Sequence, residues 1–337
     1  MKVLFRVDAS TKTGTGHVSR CLTLAQEFLR RGDEVCLQGD FGKIKWLENR
    51  IEKMCIQVMN SKYSQIDFDA INKFKPDLLV LDSYDFDPLE TKMLYESYYT
   101  MCMVDDSITD YWAHIYLNQN LNQKSSLQKS PLRADATYLT GEKFALIRQD
   151  ILRIRKTYKL ELNAINKIVV LLGGSEFKSD YNFSDLFRAV PEEIEINFIG
   201  GKNKLQEDIF EELMARRNVH FLDFTQDLSA ILQKSDVAIS AAGSTVLELY
   251  CIGIPSGFIP LAPNQVNIVS EINSLGIGVV LSNNLSQNFS SQNTQQIEKL
   301  IYDKRFRTEF SLKSRALVDG LGAKRVISEV NLSLGKH

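Results

Sequence analysis

Residues 1–40 read MKVLFRVDASTKTGTGHVSRCLTLAQEFLRRGDEVCLQGD, and they contain the pattern on which the fold assignment depends. Val3-Leu4-Phe5 is a short apolar run of the kind that forms a buried strand. After a glycine-containing loop, apolar residues recur at helical spacing until Gly32, which predicts the end of a helix. A second strand-like run, Val35–Gln38, follows. Strand, helix and strand in this order predict a parallel βαβ unit.

The same alternation of apolar runs and helix-length connections continues along the chain. The further strand-like runs of the first half are Cys55–Met59, Leu78–Leu81 and Met101–Val104. A charged stretch at 149–166 predicts an irregular linker, after which strand-like runs resume at Ile168–Leu172, Ile194–Ile199, Val219–Leu222, Val237–Ser240, Gly257–Ile259 and Gly278–Leu281. We therefore predict an α/β fold of two Rossmann-like domains, at 1–155 and 156–337. A helix-like run at 306–330 is expected to pack back on the N-terminal domain.

The composition excludes several classes of protein. A length of 337 residues with 44% hydrophobic and 24% charged residues is typical of two globular domains. With 40 basic and 42 acidic residues the net charge is −2, which gives no overall field to attract nucleic acid. The five cysteines are scattered and never spaced as C-x-x-C, which argues against a disulfide framework or a zinc site.

The apolar runs also bear on location. None approaches the ~18 residues of a membrane helix, and Arg6 and Asp8 interrupt the apolar core that a signal peptide needs. We expect a soluble, cytoplasmic protein with no nucleic-acid partner, no membrane span, no cofactor and no metal. The oligomeric state stays open, a monomer included.

The loop at residues 8–20 carries the clearest chemistry. Gly14 and Gly16 let the backbone approach a ligand closely. His17 lies at the expected start of the helix, where the helix dipole disfavours a positive charge, so the residue is suited to act as a general base. Two other interpretations stay open. One is an incomplete G-x-G-x-x-G dinucleotide fingerprint, in which Ser19 replaces the third glycine, and the other is a histidine that merely caps the helix.

A second candidate site lies in the second half of the chain. Gly243, Ser244 and Thr245 precede a short helix, and N–H groups at a helix N-terminus bind anions such as a diphosphate. Glu248, one turn into this helix, is placed to accept both hydroxyls of a ribose, although a solvated helix face explains it equally well. Simple N-capping is the alternative for the two hydroxyl residues. The amides of Asn264-Gln265 can bind a sugar.

Two acidic pairs are weaker candidates. Asp85-Phe86-Asp87 imitates the D-x-D motif of metal-dependent glycosyltransferases, but a turn before Pro88 explains it better. Asp105-Asp106 follows a strand-like run and could hydrogen-bond sugar amides.

Several stretches, in order over residues 1–270, resemble the UDP-2,4-diacetamido-2,4,6-trideoxy-β-L-altropyranose hydrolases of pseudaminic acid biosynthesis. They are GTGHVSRCLTLA at 14–25, LDSYD at 81–85, LNQN at 117–120, LTGEKFALIR at 139–148, LLGGS at 171–175 and AAGST…E…CIGIP…LAPNQ at 241–265. The second half is similar, more distantly, to the peptidoglycan N-acetylglucosaminyltransferase. The resemblance implies the glycosyltransferase-B architecture and cleavage of a UDP-sugar to free sugar and UDP.

Position by position, the resemblance also implies roles. His17 matches the catalytic histidine, and Tyr84 matches a tyrosine near the reacting sugar. Residues 243–245 match the diphosphate loop, Glu248 the ribose carboxylate, and Asn264-Gln265 the pair that contacts the sugar. Further candidate substrate- or UDP-binding residues in or beside the same motifs are Asp8, Gly14, Gly16, Arg20, Gly173 and Gly174.

Two departures from the family pattern bear on the sugar. Val246-Leu247 and Leu249 stand where the family usually has threonine, tryptophan and arginine around the glutamate, and Ser83 stands where a histidine is common. Nucleotide binding is still expected, and the sugar stays open. The predicted function is metal-independent, inverting hydrolysis at C1 of a UDP-linked diacetamido-trideoxy sugar. Two alternatives stay open: a glycosyltransferase that uses a UDP-sugar donor in surface polysaccharide synthesis, and a nucleotide-sugar-binding protein without activity.

Overall fold

The structure is a computed structural model that describes residues 1–9, 15–42, 44–105, 110–121, 135–160, 164–173, 181–200, 205–223, 228–283, 285, 289 and 291–335. The chain forms two compact units, one made of Met1–Ile147 with Gly320–His337 and the other of Arg148–Asp319. Each unit is a parallel sheet flanked by helices, which confirms the predicted α/β class.

The first unit is built on a seven-stranded sheet, counted over the described residues, in the order β3-β2-β1-β4-β5-β6-β7. All of its strand pairs are parallel. Its strands are β1 (Lys2–Val7), β2 (Glu34–Gly39), β3 (Gln57–Asn60), β4 (Leu78–Asp82), β5 (Thr100–Met103), β6 (Ile115–Asn118) and β7 (Thr137–Thr140). The order reverses between β1 and β4, so the crevice beyond their carboxyl ends is where such sheets bind ligands.

Helices α1 (Gly16–Arg30), α2 (Lys45–Lys53), α3 (Phe68–Phe74) and α4 (Pro88–Ser97) connect these strands. The apolar stripe predicted for α1 is buried, Val18 and Leu22 included. Phe28 of α1 meets Phe5 of β1 edge to face, with ring centroids 6.3 Å apart. Full burial of one such side chain stabilises the fold by roughly 1.5–3 kcal/mol. The Phe5–Phe28 contact fixes the last turn of α1 on β1, and the burial of Val18 fixes its first turn.

The second unit is built on a six-stranded parallel sheet, again over the described residues, in the order β10-β9-β8-β11-β12-β13. Its strands are β8 (Lys167–Leu171), β9 (Glu195–Ile199), β10 (Val219–Leu222), β11 (Val237–Ala241), β12 (Ser256–Ile259) and β13 (Val279–Val280). Its helices are α5 (Gln149–Thr157), α6 (Phe183–Phe187), α7 (Glu207–Met214), α8 (Leu228–Gln233), α9 (Thr245–Ile252), α10 (Pro263–Leu275), α11 (Ser291–Tyr302) and α12 (Lys304–Leu317). The order reverses between β8 and β11, which makes the carboxyl end of β11 the corresponding crevice.

The units divide at Ile147/Arg148, not at the predicted 155/156. The expected irregular linker is wrong over 149–157, because those residues form α5. This helix buries Ile151 and Ile154 and packs against α8 and α9 of the second unit. Because most residues of this segment are charged or polar, the sequence did not indicate that it forms an amphipathic helix with one narrow apolar face.

The helix-like run at 306–330 is two helices that belong to different units. After α12, a break at 318–321 leads to α13 (Gly322–Leu334). The buried residues Val326, Ile327 and Val330 of α13 belong to the same core as α1 and β1. Within the described residues, no helix combines the length and apolar character needed to cross a bilayer.

Candidate active site

The carboxyl edge of the first sheet gathers polar side chains from four strand ends. The helix with His17 starts after β1, Asp82 is the last residue of β4, Asp105 follows β5, and Asn120 follows β6. Parallel strands present their carboxyl ends at one edge, so residues far apart in sequence meet there.

His17 and Asp82 form a close pair. Nδ1 of His17 lies 2.5 Å from Oδ1 of Asp82, whose side chain is fully buried, whereas the side chain of His17 is 17% exposed. Burial acts to raise the pKa of Asp82, but Arg20 and His17 hold it well below its usual value. An ionised carboxylate only accepts hydrogen bonds, so an imidazole with a single proton carries it on Nδ1. Nε2 then keeps its lone pair and can accept a proton from water.

Arg20 joins Asp82 to Asp105. Its Nε and Nη2 donate to the two oxygens of Asp82 at 2.7 and 2.6 Å, and its Nη1 donates to Oδ1 of Asp105 at 2.9 Å. Burial acts to lower the pKa of Arg20, but the two carboxylates raise it, so the guanidinium stays charged. A bidentate pair fixes the plane of the carboxylate. The structure therefore places Arg20, predicted as a substrate contact, where it orients Asp82 and through it His17.

Tyr84 lies beside the same pair. Its ring stands edge-on to that of His17, with centroids 4.6 Å apart, and its hydroxyl donates to Oδ2 of Asp105. Asp105 also accepts from Nδ2 of Asn120 at 3.2 Å. Burial and the Asp105 charge raise the pKa of Tyr84, so its hydroxyl stays protonated and serves as a hydrogen-bonding group. Asp106, the neighbour considered with Asp105, lies outside the described residues.

Asp8 belongs to a separate network. Its carboxylate pairs with Arg6 at 2.8 Å and accepts the backbone N–H of Asp40 and Ser64 at 2.8 and 2.9 Å. These partners engage both of its oxygens and hold the loops that follow β2 and β3. The structure thus gives Asp8 a role in loop geometry where the sequence predicted a substrate contact. Gly16 is exposed at the start of α1, and Gly14 lies outside the described residues.

In the second unit, the predicted anion loop lies at the carboxyl end of β11. Gly243 and Ser244 follow the strand, and α9 begins at Thr245. The Ser244 side chain makes no capping hydrogen bond, so simple N-capping does not account for it. The first N–H groups of an α-helix have no acceptor four residues before them, which is the property that an anion uses. Here the N–H groups of Gly243, Val246 and Leu247 donate to the backbone oxygens of Ala241, Gly243 and Ser244.

Asn264 and Gln265 lie at the start of α10. A side-chain carbon on Gly243 would lie 3.6 Å from Nε2 of Gln265, so the predicted sugar pair and the predicted diphosphate loop adjoin. Oε1 of Gln265 accepts the N–H of Leu261 at 2.8 Å, which fixes the amide and leaves its NH₂ group toward that loop. Gly173 is exposed after β8 with a φ of 79°, a conformation that favours glycine. Gly174 lies outside the described residues.

Glu248 has a partner that the sequence did not indicate. Nε and Nη2 of Arg148 donate to its two oxygens at 2.7 and 3.1 Å, and both side chains are 16% exposed. The two positions are 100 residues apart, so no local motif joins them. Glu248 is therefore not simply part of a solvated helix face.

The D-x-D interpretation receives no support from local geometry. Asp87 accepts the N–H of Leu89 at 2.8 Å and caps α4, with Pro88 at the first helical position. Asp85 accepts the Tyr63 hydroxyl at 3.0 Å. This is the turn that the sequence favoured. In the part of the chain that the structure describes, no group of three or more His, Cys, Asp or Glu side chains is placed to hold a metal ion.

Comparison with known proteins places these features in context. Residues 168–316 match the glycosyltransferase family 28 C-terminal domain. The UDP-2,4-diacetamido-2,4,6-trideoxy-beta-L-altropyranose hydrolase of Campylobacter jejuni is 26% identical over 53% of this chain and 62% of its own length. The UDP-N-acetylglucosamine–N-acetylmuramyl-(pentapeptide) pyrophosphoryl-undecaprenol N-acetylglucosamine transferase of Aquifex aeolicus is 33% identical over 38% of each chain. The chain thus spans less than two thirds of the length of the curated relatives it matches.

Solved structures extend the likeness to the whole chain. MurG of Acinetobacter baumannii aligns with a TM-score of 0.63 at 13% identity, over 98% of this chain and 99% of its own. The UDP-GlcNAc 2-epimerase of Neisseria meningitidis aligns with a TM-score of 0.66 at 12% identity, over all of both chains. The chain therefore has the predicted glycosyltransferase-B fold, is similar to the glycosyltransferase family 28 C-terminal domain over residues 168–316, and resembles the UDP-diacetamido-trideoxy-altropyranose hydrolases.

Proposed function

We propose that this chain is a metal-independent, inverting hydrolase of a UDP-linked diacetamido-trideoxy sugar, which releases free sugar and UDP in pseudaminic-type nonulosonic acid biosynthesis. The observation that carries the proposal is the His17–Asp82 pair, because a buried, ionised carboxylate on Nδ1 prepares Nε2 as a general base. The resemblance to the altropyranose hydrolases supports the choice of substrate.

In the proposed reaction, Nε2 of His17 takes a proton from water while the water oxygen forms a bond to C1 of the sugar. The bond between C1 and the diphosphate oxygen breaks, and UDP leaves with the electron pair. Asp82 stabilises the imidazolium that forms. The start of α9, with Gly243, Ser244 and Thr245, binds the diphosphate and stabilises its growing charge. UDP is a good leaving group, so neither a metal nor a strong acid is required.

Inversion follows from how the nearby carboxylates are held. Asp82 is fully buried and bound by Arg20, and Asp105 is bound by Arg20, Tyr84 and Asn120. Among the described residues beside His17, neither carboxylate is free to attack C1, which favours a reaction without a covalent intermediate. A single displacement by water inverts the anomeric configuration.

The test is hydrolysis of a panel of UDP-sugars in ¹⁸O-water without any acceptor. We expect UDP release, label at C1 of the sugar, none in UDP, and the inverted anomer first in the NMR spectrum. Label in UDP would mean attack on phosphorus and would overturn the mechanism.

One observation favours a second candidate. The family 28 domain at 168–316 also fits a glycosyltransferase, in which His17 would deprotonate an acceptor hydroxyl instead of water. Slow UDP release that rises sharply on addition of a sugar or lipid acceptor would support the transferase over the hydrolase.

A further inference from the structure

We infer that Arg148 is a positioning residue for nucleotide recognition, which holds the Glu248 carboxylate in the orientation that selects ribose over deoxyribose. The inference rests on the proposed function, in which Glu248 accepts the ribose hydroxyls of UDP. It adds a residue to which the sequence motifs assign no role.

The geometry of the pair is that of an oriented acceptor. Nε and Nη2 of Arg148 each donate to a different oxygen of Glu248. A carboxylate offers about four lone-pair positions over its two oxygens. A fork–fork pair uses one position on each oxygen and leaves one on each for another donor. Two ribose hydroxyls, which are adjacent and both donors, match this remaining pattern.

Arg148 is itself held in place. Its Nη1 lies 3.2 Å from Oδ2 of Asp150, in the first turn of α5. Glu248 acts to raise the pKa of Arg148 more than burial lowers it, so the fork stays charged. The side chains of Arg148 and Glu248 are largely shielded from water, which makes their pairing stronger than an exposed ion pair.

The position of Glu248 explains why its orientation matters. It lies one turn into α9, the helix whose start forms the proposed diphosphate loop. Diphosphate and ribose of one nucleotide would thus be bound by the same helix. If the Glu248 carboxylate turned away, its hydrogen bonds to the ribose would be lost while the diphosphate contacts stayed. Loss of Arg148 should therefore reduce the preference for UDP over its deoxyribose analogue.

A matched control is available on the same pair of helices. Arg155 also joins α5 to α9, since its Nη1 donates to the backbone oxygen of Cys251, and it donates further to the oxygens of Val318 and Arg315. None of these hydrogen bonds involves Glu248. Arg155→Met therefore removes an arginine that stabilises the same packing but leaves the carboxylate oriented.

The experiment measures the dissociation constants of UDP and 2′-deoxy-UDP by calorimetry for the wild type and for Arg148→Met, Arg148→Lys and Arg155→Met. Thermal unfolding of each variant checks that it is folded. For the wild type we expect UDP to bind more tightly than 2′-deoxy-UDP by on the order of ten- to a hundred-fold, the usual contribution of a hydrogen bond to a charged group. In Arg148→Met the ratio should fall toward one. Arg148→Lys keeps the charge but not the fork, so an intermediate ratio is expected. Arg155→Met should keep the wild-type ratio.

The outcomes separate this inference from the proposed function. A wild type that binds UDP selectively, with an Arg148→Met variant equally selective, overturns the inference and leaves the proposed function standing. Equal loss of selectivity in Arg155→Met also overturns it, because helix packing would then be the cause. A wild type that does not bind UDP overturns the proposed function itself.

Discussion

Replacing Asp82 by asparagine keeps the size of the side chain and removes its negative charge. In the protein this carboxylate accepts from His17 and from two nitrogens of Arg20. An amide at position 82 presents either an oxygen or an NH₂ group to Nδ1 of His17. Where it presents the NH₂ group, the imidazole proton moves to Nε2 and the base is lost. The charge that stabilises the imidazolium is lost in both orientations.

The magnitude follows from these two losses. A positioned general base contributes ~10²–10⁴-fold, and we expect kcat for UDP release to fall by about that factor. UDP affinity should be unchanged, because the UDP-binding residues proposed above lie in the other unit. Arg20 keeps Asp105 as a partner, so the loss of unfolding free energy should be near the lower end of the range for breaking a buried ion pair, about 3 kcal/mol.

Acid stability gives a second readout on Asp82→Asn. The pKa of Asp82 is lowered in the folded protein. Its pairing therefore stabilises the fold above the unfolded pKa of about 3.9, and this contribution is lost as the pH falls through the lower folded value. The variant lacks the contribution at every pH. Below about pH 4, its unfolding free energy should consequently decline less steeply than that of the wild type.

Asp77→Asn is the matched control, because Asp77 precedes β4 and Asp82 ends it. Asp77 accepts the N–H of Lys2 at 2.6 Å at the opposite edge of the sheet. We expect this control to keep wild-type turnover. An Asp82→Asn variant with near-normal kcat would refute the view that His17 acts as a base oriented by Asp82.

Three further predictions concern other parts of the molecule. Tyr84→Phe removes the hydrogen bond to Asp105 but keeps the ring beside His17. We expect UDP release to slow by about ten-fold, as for one lost hydrogen bond to a charged group. An unchanged rate would show that the hydroxyl has no part in the mechanism. UDP release should persist in EDTA, because the carboxylates beside His17 are already bound by Arg20; loss of activity that magnesium or manganese restores would contradict this. Gly322→Ala should lower the unfolding free energy by about 1–3 kcal/mol, since the added carbon would lie 2.2 Å from the backbone oxygen of Ala145. Gly335→Ala, just after the end of the same helix, meets nothing closer than 3.4 Å and should be nearly neutral in thermal unfolding.

The strands were predictable from the sequence where an apolar run was bounded by polar residues or glycine. The expected strands Val3–Phe5, Leu78–Leu81 and Val237–Ser240 all fall within observed ones. β6 and β7 were not among the expected strands, and β7 shows why: Thr137–Thr140 has only two apolar residues, Tyr138 and Leu139, between threonines. The helix α5 was missed because its charged residues outweigh its two buried isoleucines.

The candidate site was predicted only in part. His17, Arg20 and Tyr84 do meet, but Asp82, the residue that orients His17, was not identified. A signal was present: Asp82 and Asp105 each follow a buried apolar run, and polar residues at the carboxyl ends of adjacent parallel strands converge. The partnership of Arg148 and Glu248 had no such signal, since it depends on how α5 packs against α9.

Helix α13 follows the second unit in sequence but completes the core of the first. During synthesis helix α1 with His17 and strand β4 with Asp82 leave the ribosome well before Val326, Ile327 and Val330, whose side chains cover part of the same core. The second unit is complete first, although domains generally fold from the N-terminal one onward. The first unit must therefore wait, with apolar surface on α1 uncovered, until the whole second unit has been made. Chaperone dependence and aggregation during expression should accordingly arise from the first unit.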